Sequence, residues 1–253
     1  MSSDKVYLEL RRRVAAANRV MGYWYNVLGI GHALMHLGHV SAKVPGENLF
    51  LVKGRPLVND LMIKTTILNV VTVDFAGKKV EGASDVTIPG EIQLHSYIYQ
   101  ARPDVGAICH AHPHFTILAS DLNIPLKPMC NEGLNIFPIM MYRDNALIST
   151  DEHGQGLVKA LGTAPTCMLR GHGAVTVGDT PENAMLNMMY LEDQAKLNVY
   201  ACMAVGKDYQ GIPEEQIQQY VGNMAKRAQQ AERRARTTVQ NLWEHLTEQA
   251  NHT

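Results

Sequence analysis

A run of apolar residues starting at Val105 ends in Cys109-His110-Ala111-His112-Pro113-His114. Bounded by Pro103-Asp104 on one side and Pro113 on the other, a run this short predicts a buried strand. Strand side chains alternate between faces, so His110 and His112 point the same way, together with Ile108. Two imidazoles about 7 Å apart on one pleated face can reach a single cation, roughly 2.0–2.1 Å from each nitrogen if it is zinc. A lone histidine on an apolar face is more often a hydrogen-bonded core residue. A pair at strand spacing raises the question of where further ligands come from.

A chain of 253 residues, 46% hydrophobic and 19% charged, suits one large α/β domain with a full core. The expected organisation is a single domain over residues 1–253 with a helical tail from about 207. A net charge of −1 gives no general pull towards nucleic acid or an anionic membrane, and no stretch has the length of a membrane span. Cys109, Cys130, Cys167 and Cys202 lie in apolar stretches and form no CxxC pair, so they read as reduced thiols of a cytoplasmic protein. Arg11-Arg12-Arg13 precedes an apolar stretch over 14–30, but Asn18 and Arg19 interrupt it and no small-residue cleavage site follows. A signal peptide is not expected.

Residues 3–28 have the pattern of an amphipathic helix, broken by Gly29-Ile30-Gly31. That break lacks the preceding strand and third glycine of a dinucleotide loop. His32 and His36 are four apart, but Ala33 stands where a zinc-protease helix has its glutamate, so both are expected to serve as hydrogen-bonders in a turn. Strands are expected at 49–53, 70–74 and 79–81, with a turn over 74–78. Pro89-Gly90 introduces a helix from Glu91 to about Arg102, stopped by Arg102-Pro103. A short helix over 115–120, a strand over 136–142 and a helix over 151–161 follow. Residues 164–177 read as buried strand, broken at Arg170-Gly171-His172-Gly173. Thr180 and Pro181 start a long helix that Gly206 ends, and 213–249 is helical. The basic cluster Lys226, Arg227, Arg233, Arg234 and Arg236 is interspersed with acids and predicts a solvated or subunit-facing helix.

A metal needs three or four ligands, and His110, His112, His172 and Glu91 are the candidates. Each has a plainer reading: His172 could cap a turn, and Glu91 could favour the positive end of its helix. The ordered set Pro89-Gly90-Glu91, Ala101-Arg102-Pro103-Asp104-Val105, His110-Ala111-His112 and Gly171-His172-Gly173 is far more specific than any member. It resembles the class II aldolase and adducin-head family over residues 8–206. The resemblance implies a three-layer α/β/α sandwich around a largely antiparallel sheet, and a homotetramer with sites near subunit boundaries. It also implies one divalent metal ion per subunit on His110, His112 and His172, with Glu91 alternating between metal binding and proton movement. Zinc, manganese, cobalt and iron all suit such ligands.

The departures from the family pattern narrow the chemistry. Sugar-phosphate members cradle phosphate with a Gly-Asn-x-Ser turn, a Ser-Gly pair and two serines before the glutamate. Here those places read Gly38-His39-Val40-Ser41, Lys53-Gly54 and Pro89-Gly90. The proton-donating tyrosine of aldolase members falls near Met129 or Cys130, neither of which can serve. The Gly38–Ser41 turn and Arg170-Gly171-His172-Gly173 look like the branch that decarboxylates hydroxylated aromatic or heteroaromatic carboxylates, such as dihydroxyphthalate and a hydroxypyridine dicarboxylate. That resemblance implies a carboxy-lyase of aromatic catabolism acting on a small carboxylate. Glu91 and His39 would be its proton-transfer candidates. Arg55, Lys53, Ser41 and Arg170 would be its substrate-binding candidates, although Arg170 is equally suited to buttressing the fold. Three other readings remain open: an aldolase or epimerase of an unphosphorylated hydroxy-acid or sugar with Tyr142 or a neighbour's tail as donor, a non-catalytic adducin-like module, and an iron-dependent oxidative enzyme.

Overall fold

The computed structural model describes the backbone of residues 3–28, 36–230 and 232–252, and the side chains of 5–28, 36–223 and 240–252. Helix α1 (Ser3–Val27) precedes strands β1 (His39–Lys43), β2 (Leu49–Lys53), β3 (Arg55–Pro56), β4 (Val70–Asp74), β5 (Lys79–Glu81) and β6 (Val86–Thr87). Then come α2 (Ile92–Ala101), β7 (Ala107–Ala111), α3 (His114–Asp121), β8 (Ile139–Tyr142), α4 (Asp151–Leu161), β9 (Thr166–Leu169) and β10 (Gly173–Gly178). Helices α5 (Pro181–Val205), α6 (Glu214–Gln230) and α7 (Glu232–His252) follow. Eight strands form one sheet in the order β5-β4-β2-β1-β7-β10-β9-β8. Its pairs are antiparallel except β8 with β9, while β3 and β6 pair separately.

Strand alternation sorts β7 into two cores. Ala107, Cys109 and Ala111 face α1 and α5, where they meet Val20, Met21, Met185 and Leu191. Those short side chains let α5 lie close to the sheet. Ile108, Val175 and Val177 face the other way, against Leu94 and Ile98 of α2 and Leu157 and Leu161 of α4. Helices therefore cover both faces, the expected α/β/α sandwich. Burying one such Leu or Ile contributes about 1.5–3 kcal/mol. Thr180 Oγ1 accepts from Asn183 N at 3.2 Å, so the threonine caps α5 as its sequence predicts.

Two features differ from expectation. Residues His39–Ser41 belong to strand β1 rather than to a turn, because their backbone pairs with both β2 and β7. The tail is two helices, and α7 returns to α1. There Leu246 and Ala250 join the buried core, and Arg19 Nε donates to Asn251 Oδ1 at 2.9 Å. Tyr97, half-buried, packs against Gly154 of α4. The predicted break at Gly29-Ile30-Gly31 and the residue His32 lie outside the described residues, as do the side chains of Lys226, Arg227, Arg233, Arg234 and Arg236. No helix among the described residues is long and apolar enough to cross a membrane.

Candidate metal centre

The sheet register aligns His110 of β7 with His39 of β1 and with Val175 of β10. His110 Nδ1 lies 3.0 Å from the carbonyl oxygen of Ala174. A carbonyl only accepts, so Nδ1 carries the proton and Nε2 presents a lone pair to the site. His112 follows the strand, its backbone N–H donating to the Tyr25 hydroxyl at 2.8 Å, and its Nε2 stands 2.9 Å from His110 Nε2.

His172 comes from the turn between β9 and β10. Gly171 adopts φ +62°, and a Cβ on Gly173 would sit 2.2 Å from the carbonyl oxygen of Ala111. Glycine on both sides is what lets His172 reach back over the end of β7. Glu91 precedes α2 but makes no capping hydrogen bond. Its Oε1 accepts from Ile148 N at 2.9 Å, and its Oε2 lies 3.3 Å from His110 Nε2 and 3.4 Å from His172 Nε2.

One ligand atom from each of these four residues falls within 4.8 Å of all the others. Among the described residues both ring nitrogens of His172 are buried with no well-formed hydrogen bond, Nε2 having only the 3.4 Å approach of Glu91 Oε2. A buried imidazole in that state is costly unless something else engages it, which fits a cation. Three imidazoles and a carboxylate are a donor set that suits a divalent transition metal.

Electrostatics favour an ionised Glu91 beside His112 and His39 rings that resist protonation. Burial opposes ionisation of Glu91, but the combined pull of His110 and His172 outweighs it and holds the carboxyl well below its ordinary range. His112 is pushed down to about 2, by burial first and then by His110 and His172. Burial and the neighbouring imidazoles also hold His39 well below its usual value.

A cavity of about 390 Å³ opens onto these ligands. His36, Leu37, His39, Lys53, Arg55, Pro89, Leu147 and Ser149 line it beside Glu91, His112 and His172. Of the residues singled out in the sequence, His39, Lys53 and Arg55 are thus gathered around the cluster. Ser41 is fully buried behind His95, Arg170 is exposed, and neither they nor Tyr142 line the cavity. Asp60 holds both cations: its Oδ1 accepts from Lys53 Nζ at 2.5 Å and its Oδ2 from Arg55 Nε at 2.8 Å. Lys53 is 3% exposed and its pKa is lowered, burial outweighing the attraction of Asp60.

Asp60 and His95 were not among the sequence candidates, and His36, expected to serve as a hydrogen-bonder in a turn, lines the cavity. His95 was the least visible, since it falls on an apolar helix face and its partners are 54 and 56 residues away.

The family described as Class II Aldolase and Adducin N-terminal domain matches residues 14–199. A 3,4-dihydroxyphthalate decarboxylase of Arthrobacter keyseri is 27% identical over 207 residues, covering 78% of this chain and 80% of that protein. The crystal structure of an aldolase II superfamily protein from Pseudomonas syringae superposes with a TM-score of 0.75 at 24% identity, over 96% of this chain and 92% of that one. An L-fuculose 1-phosphate aldolase from Glaciozyma antarctica gives 0.72 at 23% identity, over 88% and 84%. At those identities the two structures establish a shared fold.

Proposed function

The chain belongs to the class II aldolase and adducin N-terminal domain family, and from that premise we propose that it is a metal-dependent carboxy-lyase. Its substrate would be a hydroxylated aromatic or heteroaromatic carboxylate. The observation that carries this reading is one cavity that joins the Glu91, His110, His112 and His172 cluster to the cationic side chains Lys53 and Arg55. Cations on the wall suit a substrate carboxylate. The relative from Arthrobacter keyseri supports the reading, because the substrate in its name is a dicarboxylate.

His110, His112 and His172, with Glu91, would hold the cation. When bound, it supplies a Lewis acid for the negative charge that builds as a carbon–carbon bond breaks. Glu91 is fixed through Oε1 by the Ile148 amide, leaving Oε2 to work. There the ionised carboxylate takes the proton of the substrate hydroxyl and delivers it to the ring carbon that bears the departing carboxylate. As CO2 leaves, the electron pair of the broken bond passes through the ring to the substrate oxygen, and solvent re-protonates that oxygen. Arg55 anchors a second carboxylate, sharing it with Lys53 as Asp60 yields. Leu37, Pro89 and Leu147 keep the reacting carbon against apolar walls.

We also propose that the protein works in the cytoplasm as a homotetramer with sites near subunit boundaries. Exposed Leu122 just after α3, with Tyr200, Met203 and Val205 on α5, offers apolar surface for a second copy.

The test is CO2 release from a panel of ortho-hydroxy aromatic mono- and dicarboxylic acids. Chelator-stripped protein is assayed before and after addition of manganese, zinc, cobalt or ferrous iron. Release that returns with metal is the expected result. Metal binding without release from any acid would move the reading to carbon–carbon cleavage of an unphosphorylated aldol, for which the same ligands suffice.

A further inference from the structure

Behind the metal cluster, four polar side chains run in single file into the core. His39 Nδ1 is 2.7 Å from His95 Nε2, His95 Nδ1 is 2.7 Å from Ser41 Oγ, and Ser41 Oγ is 2.7 Å from the Tyr99 hydroxyl. His95 and Ser41 are 0% exposed, Tyr99 is 1% and His39 is 7%. Of the four, His39 alone lines the cavity. The Tyr99 ring lies against Phe50 and Phe75, and among the described residues its hydroxyl has no partner besides Ser41.

Hydrogens in such a file run in one of two directions. Starting from Tyr99, its O–H donates to Ser41, Ser41 donates to His95 Nδ1, and His95 Nε2–H donates to His39 Nδ1. Every buried hydrogen then meets an acceptor. In the reverse direction His39 Nδ1–H donates inward, and the last hydrogen, on Tyr99, ends among aromatic rings with nothing to accept it. Buried donors are rarely left unspent, so the first direction is favoured. A doubly protonated His39 meets the same obstacle, because its Nδ1–H would need His95 Nε2 as acceptor.

We propose that this file holds His39 as the neutral tautomer protonated at Nε2, a fixed hydrogen-bond donor to a substrate oxygen in the cavity. His95, Ser41 and Tyr99 are the positioning residues. A neutral imidazole is a very weak acid, so His39 donates a hydrogen bond and keeps its proton. Proton transfer is left to Glu91. A donor oriented before substrate arrives needs no reorganisation as charge develops on the oxygen. The substrate oxygen rests on the lyase reading given above; the tautomer does not.

Histidine side-chain ¹⁵N NMR of the zinc-loaded, full-length protein reads the tautomer directly. The expected spectrum has a pyrrole-type nitrogen at ε2 and a pyridine-type nitrogen at δ1 in both His39 and His95. A proton on His39 Nδ1 overturns the proposal. Ser41→Ala removes the donor to His95, so it should mix the His39 tautomers and lower kcat about tenfold or more with zinc content unchanged. Ser41→Thr, which keeps the hydroxyl, should restore both. A Ser41→Ala protein with the wild-type spectrum and kcat also overturns the proposal. The predicted spectrum in a protein that decarboxylates no acid in the panel upholds the file and rejects the decarboxylase reading, so the two fail separately.

Discussion

His110 donates its Nδ1 proton to the main-chain oxygen of Ala174, one strand away, at 3.0 Å. The acceptor belongs to the sheet itself, so pairing β7 with β10 sets the tautomer of the central ligand as the fold forms. Among the described residues His112 has no equivalent anchor on its ring. Its Nε2 instead meets His110 Nε2 at 2.9 Å, a separation that suits two lone pairs converging on one ion.

Replacing His112 with Ala should therefore remove metal and activity together. Loss of one imidazole from the cluster should weaken metal affinity on the order of 100-fold or more. Metal content by atomic emission, measured beside turnover on the same sample, checks this. Full activity at normal metal content would sink the ligand assignment.

Glu91→Gln should separate binding from chemistry. Three imidazoles remain to hold the metal, and the amide can keep the contact with Ile148 N. It cannot carry a proton at pH 7. The expected result is near-normal metal content with kcat lowered roughly 10²–10⁴-fold. An unaltered kcat would rule out proton transfer by this residue.

Local signals made much of the fold readable from sequence. Thr180-Pro181 and Gly206 bracket α5, and the run from Val105 gives β7. The metal candidates were readable too, because His110 and His112 share a strand end and glycines flank His172. Strand β1 was hidden for a physical reason. His39 and Ser41 are polar but buried, satisfied by His95 rather than by water, so hydropathy marks them as loop. Asp60 was equally obscure, since its hold on Lys53 and Arg55 depends on a loop closing over β2 and β3. The return of α7 to α1 joins residues more than 200 apart in the chain, which no local pattern encodes.

Arg55 should report on substrate binding. Its Nε is bound to Asp60, and its side chain is 44% exposed at the cavity. Arg55→Gln should raise KM for a dicarboxylate about 10-fold or more, the scale of one charged hydrogen bond, while changing kcat less. A monocarboxylate lacking the second group should be nearly indifferent to the change. Equal KM shifts for both substrates would assign Arg55 to structure.

Glu192 ties α3 to α5 and should leave a signature in the pH dependence of stability. It is 2% exposed and accepts from Phe115 N at 2.9 Å, Thr116 N at 2.9 Å and Thr116 Oγ1 at 2.8 Å. Burial nevertheless wins over these bonds and raises its pKa above the ordinary 4.5. Between 4.5 and the raised value the folded protein keeps a proton that the unfolded chain has released. This contribution to stability is thus fully present below 4.5, declines as pH climbs through the folded value, and is level above it. Glu192→Gln keeps an acceptor oxygen and abolishes the titration. Urea unfolding of wild type and variant, compared between about pH 4 and about pH 7, should show the difference moving in favour of the variant as pH rises. Titration of the metal ligands is common to both proteins and cancels. Glu192→Ala should instead cost about 1–3 kcal/mol at either pH, because three buried donors lose their acceptor. A Gln variant whose difference from wild type is flat with pH, or moves the opposite way, would show that the three hydrogen bonds outweigh the burial of the charge.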